Sequence, residues 1–163
     1  MADPGWPLCV LEADDQAVLR EAYREIYIDE YVRADVRDWA GRRIRFHVPT
    51  FDHAFSAATN YRLAAGIHDT PLSLPRLQRI RWIALALSGE GIHIEVLAQS
   101  RQDSRGRWRK RRTVVVLDNR YVVVLEPCQA NGFDFDFVTA FPADQAYLDK
   151  IRRGGQVIER RKP

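Results

Sequence analysis

The chain is short of the residues that crosslink a fold or chelate a metal. Its 163 residues include two cysteines, Cys9 and Cys128, four histidines and one methionine. The cysteines form no Cys-x-x-Cys pair and have no histidine at ligand spacing, so no structural zinc site is expected and both thiols read as reduced. The first residues lack a basic region followed by an apolar stretch, so no signal peptide is read there. No apolar run approaches membrane-spanning length. The expectation is a cytoplasmic protein for which no membrane is a partner. There is no phosphate-cradling glycine loop, Walker lysine or nucleophile elbow, which disfavours nucleoside triphosphate hydrolysis and serine-hydrolase chemistry. Internal repeats and low-complexity tracts are absent.

What is present is an ordinary soluble composition, 46% hydrophobic and 29% charged, in a length suited to a single domain. The formal net charge is only +3. The charges are unevenly placed, however: the first third is mixed and often acidic, the middle and the C-terminus basic. That asymmetry points to a polyanionic partner, most simply nucleic acid.

The residue pattern predicts helices first. Asp14 or Asp15 can cap a helix running to about residue 40 and ended by Gly41, with Leu19, Ala22, Tyr23 and Ile26 as its apolar stripe. Residues 43–48 alternate like a strand. A helix is expected from Thr50 to about Tyr61, then a loop at 66–70. A further helix is capped by Ser73, has Pro75 in its first turn and is closed by Gly89 and Gly91. From residue 92 the period changes to two: strands are expected at 92–97, 108–117, 121–125 and 133–140. A short helix from Pro142 and Asp144 to about Arg152 follows. This order predicts an α+β fold, N-terminal helices packed on a twisted antiparallel sheet of about four strands, with a short C-terminal helix.

Three stretches can carry chemistry. In Thr50-Phe51-Asp52-His53-Ala54-Phe55-Ser56, His53 reads as an early helical residue beside an Asp and a Ser, suited to proton transfer near neutral pH; a packed or capping histidine is the plainer reading. Residues 105–112 read Arg-Gly-Arg-Trp-Arg-Lys-Arg-Arg. On a strand, Arg107, Arg109 and Arg111 point one way and Trp108, Lys110 and Arg112 the other. Such cations neutralise successive phosphates while Trp108 stacks on a base; the alternative is a charged end that keeps a sheet edge soluble. In residues 133–141, Thr139 ends the apolar side of a strand whose other side carries Asp134 and Asp136. Two carboxylates on one strand face can bind a divalent metal, but no third ligand stands at a diagnostic spacing. His47, His68 and His93 read as structural or solvated.

The series Asp52-His53-Ala54-Phe55-Ser56, Arg79-Ile80-Arg81-Trp82-Ile83, a hydrophobic hairpin, Phe137-Val138-Thr139-Ala140-Phe141, and Tyr147-Leu148 with Lys150-Ile151-Arg152-Arg153-Gly154 resembles the phage-associated barnase, EndoU, colicin and RelE-type nuclease domains. These are small metal-independent ribonucleases of α+β fold with a four-stranded antiparallel sheet. The resemblance implies a nuclease-like core at residues 47–155, flanked by an arm (1–13), a helical region (14–46) and a basic tail (156–163), all in one domain. It marks His53 as the proton-transfer residue and Thr139 as an active-site hydroxyl. Arg112 or Lys110 would steady the phosphate, with Arg81 a candidate on the helix side. The chain departs from barnase in showing no clear glutamate base.

The expected function is RNA endonucleolytic cleavage by 2′-OH transesterification to a 2′,3′-cyclic phosphate, with no cofactor and no metal. His53, Thr139 and Arg112 are the catalytic candidates; Arg81, Arg107, Trp108, Arg109, Lys110 and Arg111 are the substrate-binding ones. The alternatives are a non-catalytic RNA- or protein-binding module of the same fold, and a metal-dependent nuclease using Asp134 and Asp136. The expected partners are RNA and, in a toxin setting, an immunity or antitoxin protein.

Overall fold

The computed structural model describes residues 2–57, 62–64, 67–68, 72–103 and 105–163, with the backbone alone at 62–64, 67, 68 and 101. Helix α1, Gln16–Tyr27, begins where the Asp15 side chain accepts from Val18 N at 2.8 Å, an N-cap that satisfies an otherwise orphaned donor. It runs into a π-helical turn, Ile28–Val32. Together they bury Tyr23, Tyr27 and Tyr31, four residues apart on one face. Each phenol must find an acceptor where water is excluded. Tyr23 donates to Cys9 O at 2.7 Å, Tyr27 to His47 O at 2.7 Å and Tyr31 to Ile80 O at 2.5 Å. Burial pushes all three phenols above their ordinary range, so they stay neutral donors.

The N-terminal arm has no regular structure yet is docked. Trp6 meets Trp82 edge-on at 5.5 Å, Trp82 Nε1 donates to Pro7 O at 2.8 Å, and Cys9 N donates to Gln78 O at 2.7 Å. After the π turn the chain does not stay helical to residue 40. Strands β1, Val36–Arg37, and β2, Arg43–Arg45, form an antiparallel hairpin. Asp38 shapes its turn by accepting from Ala40 N at 2.9 Å and Arg42 N at 3.1 Å. Helix α2, Thr50–Ala54, is a single short turn; the rest of the helix expected to Tyr61 lies largely outside the described residues. Strands β3, Arg62–Ala64, and β4, Ile67–His68, pair with each other apart from the main sheet, and the loop expected at 66–70 falls mostly outside the described residues. Helix α3, Leu74–Leu77, is capped by Ser73, and α4, Trp82–Ser88, ends at Gly89. Gly89 has φ +68°, and a Cβ there would lie 3.1 Å from Trp39 Cβ, so both conformation and space call for glycine.

Strands β5, Ile94–Gln102, β6, Trp108–Val116, β7, Tyr121–Pro127, and β8, Phe135–Pro142, form the antiparallel meander. Helix α5, Gln145–Arg153, is capped by Asp144, and β9, Gln156–Arg161, follows it. The sheet is not the four-stranded one expected. It is one curled, mixed sheet of seven strands in the order β1-β2-β8-β7-β6-β5-β9, with β2 parallel to β8 and β9 antiparallel to β5. The chain is still α+β, but the meander is the middle of a larger sheet. The region read as N-terminal helix supplies β1, the run at 43–48 read as a strand supplies β2, and the region read as a basic tail supplies β9.

Nor do the helices share one face. Val114, Val116, Tyr121, Val123, Leu125 and Phe137 face the larger core with residues of α1 to α4. Val115, Val122 and Val124 face Leu148 and Ile151 of α5 on the other side. The valine strands are apolar in both directions because both faces are covered. Among the described residues no helix is long and apolar enough to cross a membrane.

One carboxylate ties the added strands to the meander. Glu159 of β9 accepts from Trp39 Nε1 at 2.7 Å, Arg42 Nη2 at 3.2 Å and Arg112 Nη2 at 3.1 Å. Burial opposes its ionisation, but these donors outweigh burial and hold the carboxyl below its ordinary value of 4.5. A lowered folded pKa stabilises the fold above the unfolded value and is lost as pH falls through the folded one. Glu159→Gln should therefore cost about 2 kcal/mol at pH 7. It should also flatten the fall of Tm with acid below about pH 4.5; thermal melts of both proteins from pH 3 to 7 check this.

Candidate active site

The site grows from a break in register. Leu125 pairs with Phe137, but Val124 pairs with Thr139, so β8 carries an extra residue between them. A bulge of this kind re-aims the side chains beside it. Thr139 is set opposite Val124, which faces α5, rather than following Phe137 by simple alternation. Beyond Asp136, moreover, β8 has lost its neighbour. β2 pairs with it only at Phe135 and Asp136, then leaves towards α2.

Helix α2 fills that opening. Thr139 Oγ1 donates to Ala54 O at 2.9 Å. Arg76 Nη1, from α3, donates to the same carbonyl at 3.1 Å and to Thr139 Oγ1 at 3.3 Å. Thr139 thus bonds to the residue next to His53, and His53 itself is exposed. α2 ends at Ala54, so His53 sits in a single-turn helix, next to its last residue.

Arg76 was not singled out by its sequence, and it is the unusual group here. It is half-buried, its guanidinium lies 5.1 Å from the Phe141 ring centroid, and its hydrogen bonds among the described residues go to neutral oxygens. Burial pulls its pKa below the ordinary value; an arginine stays charged even so. A desolvated cation with N–H groups to spare and no carboxylate partner among the described residues is a place for an anion. Its contact with Thr139 spans 63 residues, so no local pattern could have announced it.

A second imidazole stands in the link between β2 and α2, against β8. His47 Nε2 lies 3.2 Å from Asp136 Oδ1, and Arg45 grips that carboxylate through Nε at 2.8 Å and Nη2 at 3.3 Å. Burial opposes ionisation of Asp136, but hydrogen bonds from Arg45 and Cys128 and the charges of Arg45 and His47 lower its pKa. A carboxylate fixed in this way orients the ring beside it. Asp136 is thereby engaged in an ion pair, and Asp134 accepts from Arg43 N at 2.8 Å. Among the described residues no three His, Cys, Asp or Glu side chains gather as a metal site.

The other sequence candidates lie elsewhere. Arg112 is only 8% exposed and is held by Glu159 beneath the Phe135 ring, on the larger-core side of the sheet. It shares no face with Thr139 and belongs to the scaffold. Arg81 is bound by Glu30 through Nε at 3.2 Å and Nη2 at 3.0 Å. Arg107 and Arg109 both lean on Asp103, at 3.3 and 3.4 Å, and Arg111 pairs with Glu126. Trp108, 72% exposed, and Lys110 project from the hairpin on the same side of the strand as Arg112. Thr139 lies level with Val124 and Thr113, so Trp108 is five residues farther along β6, about 17 Å at the usual rise. The hairpin and the contact of Thr139 and Arg76 with Ala54 O are separate features. His93 pairs with Asp118 at 3.0 Å, and the His68 side chain lies outside the described residues.

Compared with family models, with curated proteins and with solved structures, the chain finds no match.

Arg76→Met and Arg112→Met should separate site from scaffold. Removing Arg112 leaves part of Glu159 unanswered, and Tm should fall by several degrees, at roughly 2–4 °C per kcal/mol for a domain of this size. Removing the carboxylate-free Arg76 should leave Tm within about 2 °C of the parent, since an apolar replacement suits a desolvated position. RNA affinity, measured by fluorescence anisotropy, should drop for Arg76→Met and stay at the parent value for Arg112→Met.

Proposed function

We propose that this protein is a metal-independent RNA endonuclease that cleaves by transesterification. The ribose 2′-oxygen attacks the adjacent phosphorus, the bond to the 5′-oxygen breaks, and a 2′,3′-cyclic phosphate remains. The observation that supports this reading is the half-buried Arg76, which has no carboxylate partner among the described residues and is joined to Thr139 and to the residue beside an exposed histidine. Arg76 takes the role first expected of Arg112: it meets the charge that builds on the non-bridging oxygens. Thr139 orients one of those oxygens. Proton transfer needs a group that accepts from the 2′-hydroxyl and one that donates to the leaving 5′-oxygen. His53 is one; His47, oriented by Asp136, is suited to be the other.

A second reading, a non-catalytic RNA-binding module, draws on the hairpin. Trp108 is exposed and Lys110 has no acidic partner among the described residues, which suits stacking and phosphate contact without chemistry. Incubation with total RNA in EDTA separates the two. Cleavage to cyclic-phosphate ends supports the enzyme; binding without cleavage supports the module; activity lost in EDTA or equal cutting of DNA ends the proposed mechanism.

His53→Ala should melt like the parent and still bind RNA, while cleavage falls about 100- to 10,000-fold, the usual cost of a proton-transfer group. A variant that cuts at the parent rate would remove His53 from the chemistry.

The hairpin has a less obvious consequence. Asp103 answers both Arg107 and Arg109, so it competes with phosphate for them. Asp103→Asn keeps an oxygen for the turn's backbone N–H groups and releases the two cations. Its RNA affinity should rise and its salt dependence steepen, whereas Lys110→Ala should reduce the log–log salt slope by about 1. Titrations between 50 and 300 mM salt (~50 mM steps), read by the slope rule, check both.

A further inference from the structure

A phosphate held at Arg76 would bring its nucleobase near one exposed aromatic ring that the mechanism does not use. Tyr147, on the first turn of α5, meets Phe141 edge-on with ring centroids 5.8 Å apart, and Phe141 carries the Arg76 guanidinium at 5.1 Å. Phe141 thus touches both the Tyr147 ring and the Arg76 guanidinium. Most residues in the helix's core contact are covered, yet Tyr147 is 38% exposed, and its hydroxyl has no hydrogen-bond partner among the described residues.

The ring also forms one wall of a cleft. A depression of about 160 Å³ between α5 and β5 is lined by Gln99, Ser100, Tyr147, Lys150, Ile151 and Gly154. Tyr147, Lys150 and Ile151 share a wall because residues three and four apart on a helix lie on one face. The floor is rigid. Gln99 Nε2 donates to Ile151 O at 3.0 Å while its Oε1 accepts from Thr113 Oγ1 at 2.8 Å. At Gly155 a Cβ would come within 2.9 Å of Gln99 Cγ, so the end of α5 is pressed against the strand. The cleft therefore combines an aromatic face, an ammonium and a hydroxyl, and Tyr147 connects it through Phe141 to Arg76.

We propose that Tyr147 and this cleft form the base-binding subsite of the cleavage site, in which a nucleobase next to the phosphate at Arg76 stacks on the Tyr147 ring with Lys150 beside it. The inference rests on the RNA reading above and adds to it the group that holds the base. Stacking on an aromatic side chain tolerates any base, because every base has a π-face. The subsite thus gives affinity and register with weak sequence preference, and its contribution is insensitive to salt, unlike that of the basic hairpin.

The test uses the full chain and a single-stranded hexanucleotide carrying 2′-fluoro sugars, which has no 2′-hydroxyl to attack, and one 2-aminopurine. Binding to the parent should quench 2-aminopurine emission. Tyr147→Phe should keep the quench. Tyr147→Leu, which retains apolar packing on Phe141 and should melt like the parent, should lose it and bind roughly tenfold more weakly at every salt concentration. With a cleavable RNA, Tyr147→Leu should raise KM by a similar factor and change kcat less. A parent complex without quenching, or a Tyr147→Leu variant that quenches and binds like the parent, overturns the subsite. Quenching that depends on Tyr147 in a protein that never cuts RNA supports the subsite and sinks the cleavage reading; cutting with an unchanged KM in Tyr147→Leu does the reverse.

Discussion

Three buried phenols hold the molecule in register. A tyrosine hydroxyl sealed from water is costly until it finds an acceptor, and α1 with its π turn presents such hydroxyls at Tyr23, Tyr27 and Tyr31. Each is satisfied by the main chain of a different segment: the N-terminal arm at Cys9, the β2–α2 link at His47 and the approach to α4 at Ile80. Segments that would otherwise be mobile connections are fixed to one rigid helix. The Tyr27 bond matters most for the site. It sets where the chain leaves β2, and so where α2 delivers Ala54 to Thr139.

Around that anchor the candidate site is assembled from irregularities. β2 abandons β8, β8 carries a bulge, and α2 is only one turn long. Each leaves a polar group without its regular partner. The Ala54 carbonyl receives both Thr139 and Arg76 as a result. Had β2 stayed paired with β8, it would have filled the space where α2 brings the Ala54 carbonyl to Thr139. Among the described residues Arg76 has no acid beside it, whereas Arg45, Arg81, Arg111 and Arg112 each do.

The local features were legible in the chain. Asp15, Ser73 and Asp144 cap helices as their spacing indicates, and Gly89 stops one. The meander followed from period-two apolar runs. What escaped is non-local. β9 alternates Val157, Glu159 and Arg161 inward, but its density of charge reads as a tail until Trp39, Arg42 and Arg112 are seen around Glu159. β1 is two residues long and declares itself only through its pairing with β2. The amphipathic pattern of α5 shows that one side is apolar without saying which face of the sheet it covers. His53 and Thr139 were candidates because residue type and position suggested chemistry, and the structure adds that Thr139 bonds to the carbonyl of the residue after His53. Arg112 was misassigned for a related reason: alternation separates the two sides of β6 without showing that one of them is interior.

The clasp at Glu159 also bears on how the chain reaches this shape. Trp39 and Glu159 are 120 residues apart, and their hydrogen bond joins the first hairpin to the last strand. The valine meander closes through neighbouring strands and can form early, while contacts of such long separation are slow to gather. On a ribosome the first hairpin emerges well before its partner exists. Trp39 and Arg42 must wait, exposed, until the final strand arrives. The half-finished protein would then have a formed meander and an unfastened border, which Glu159 closes once β9 has been made.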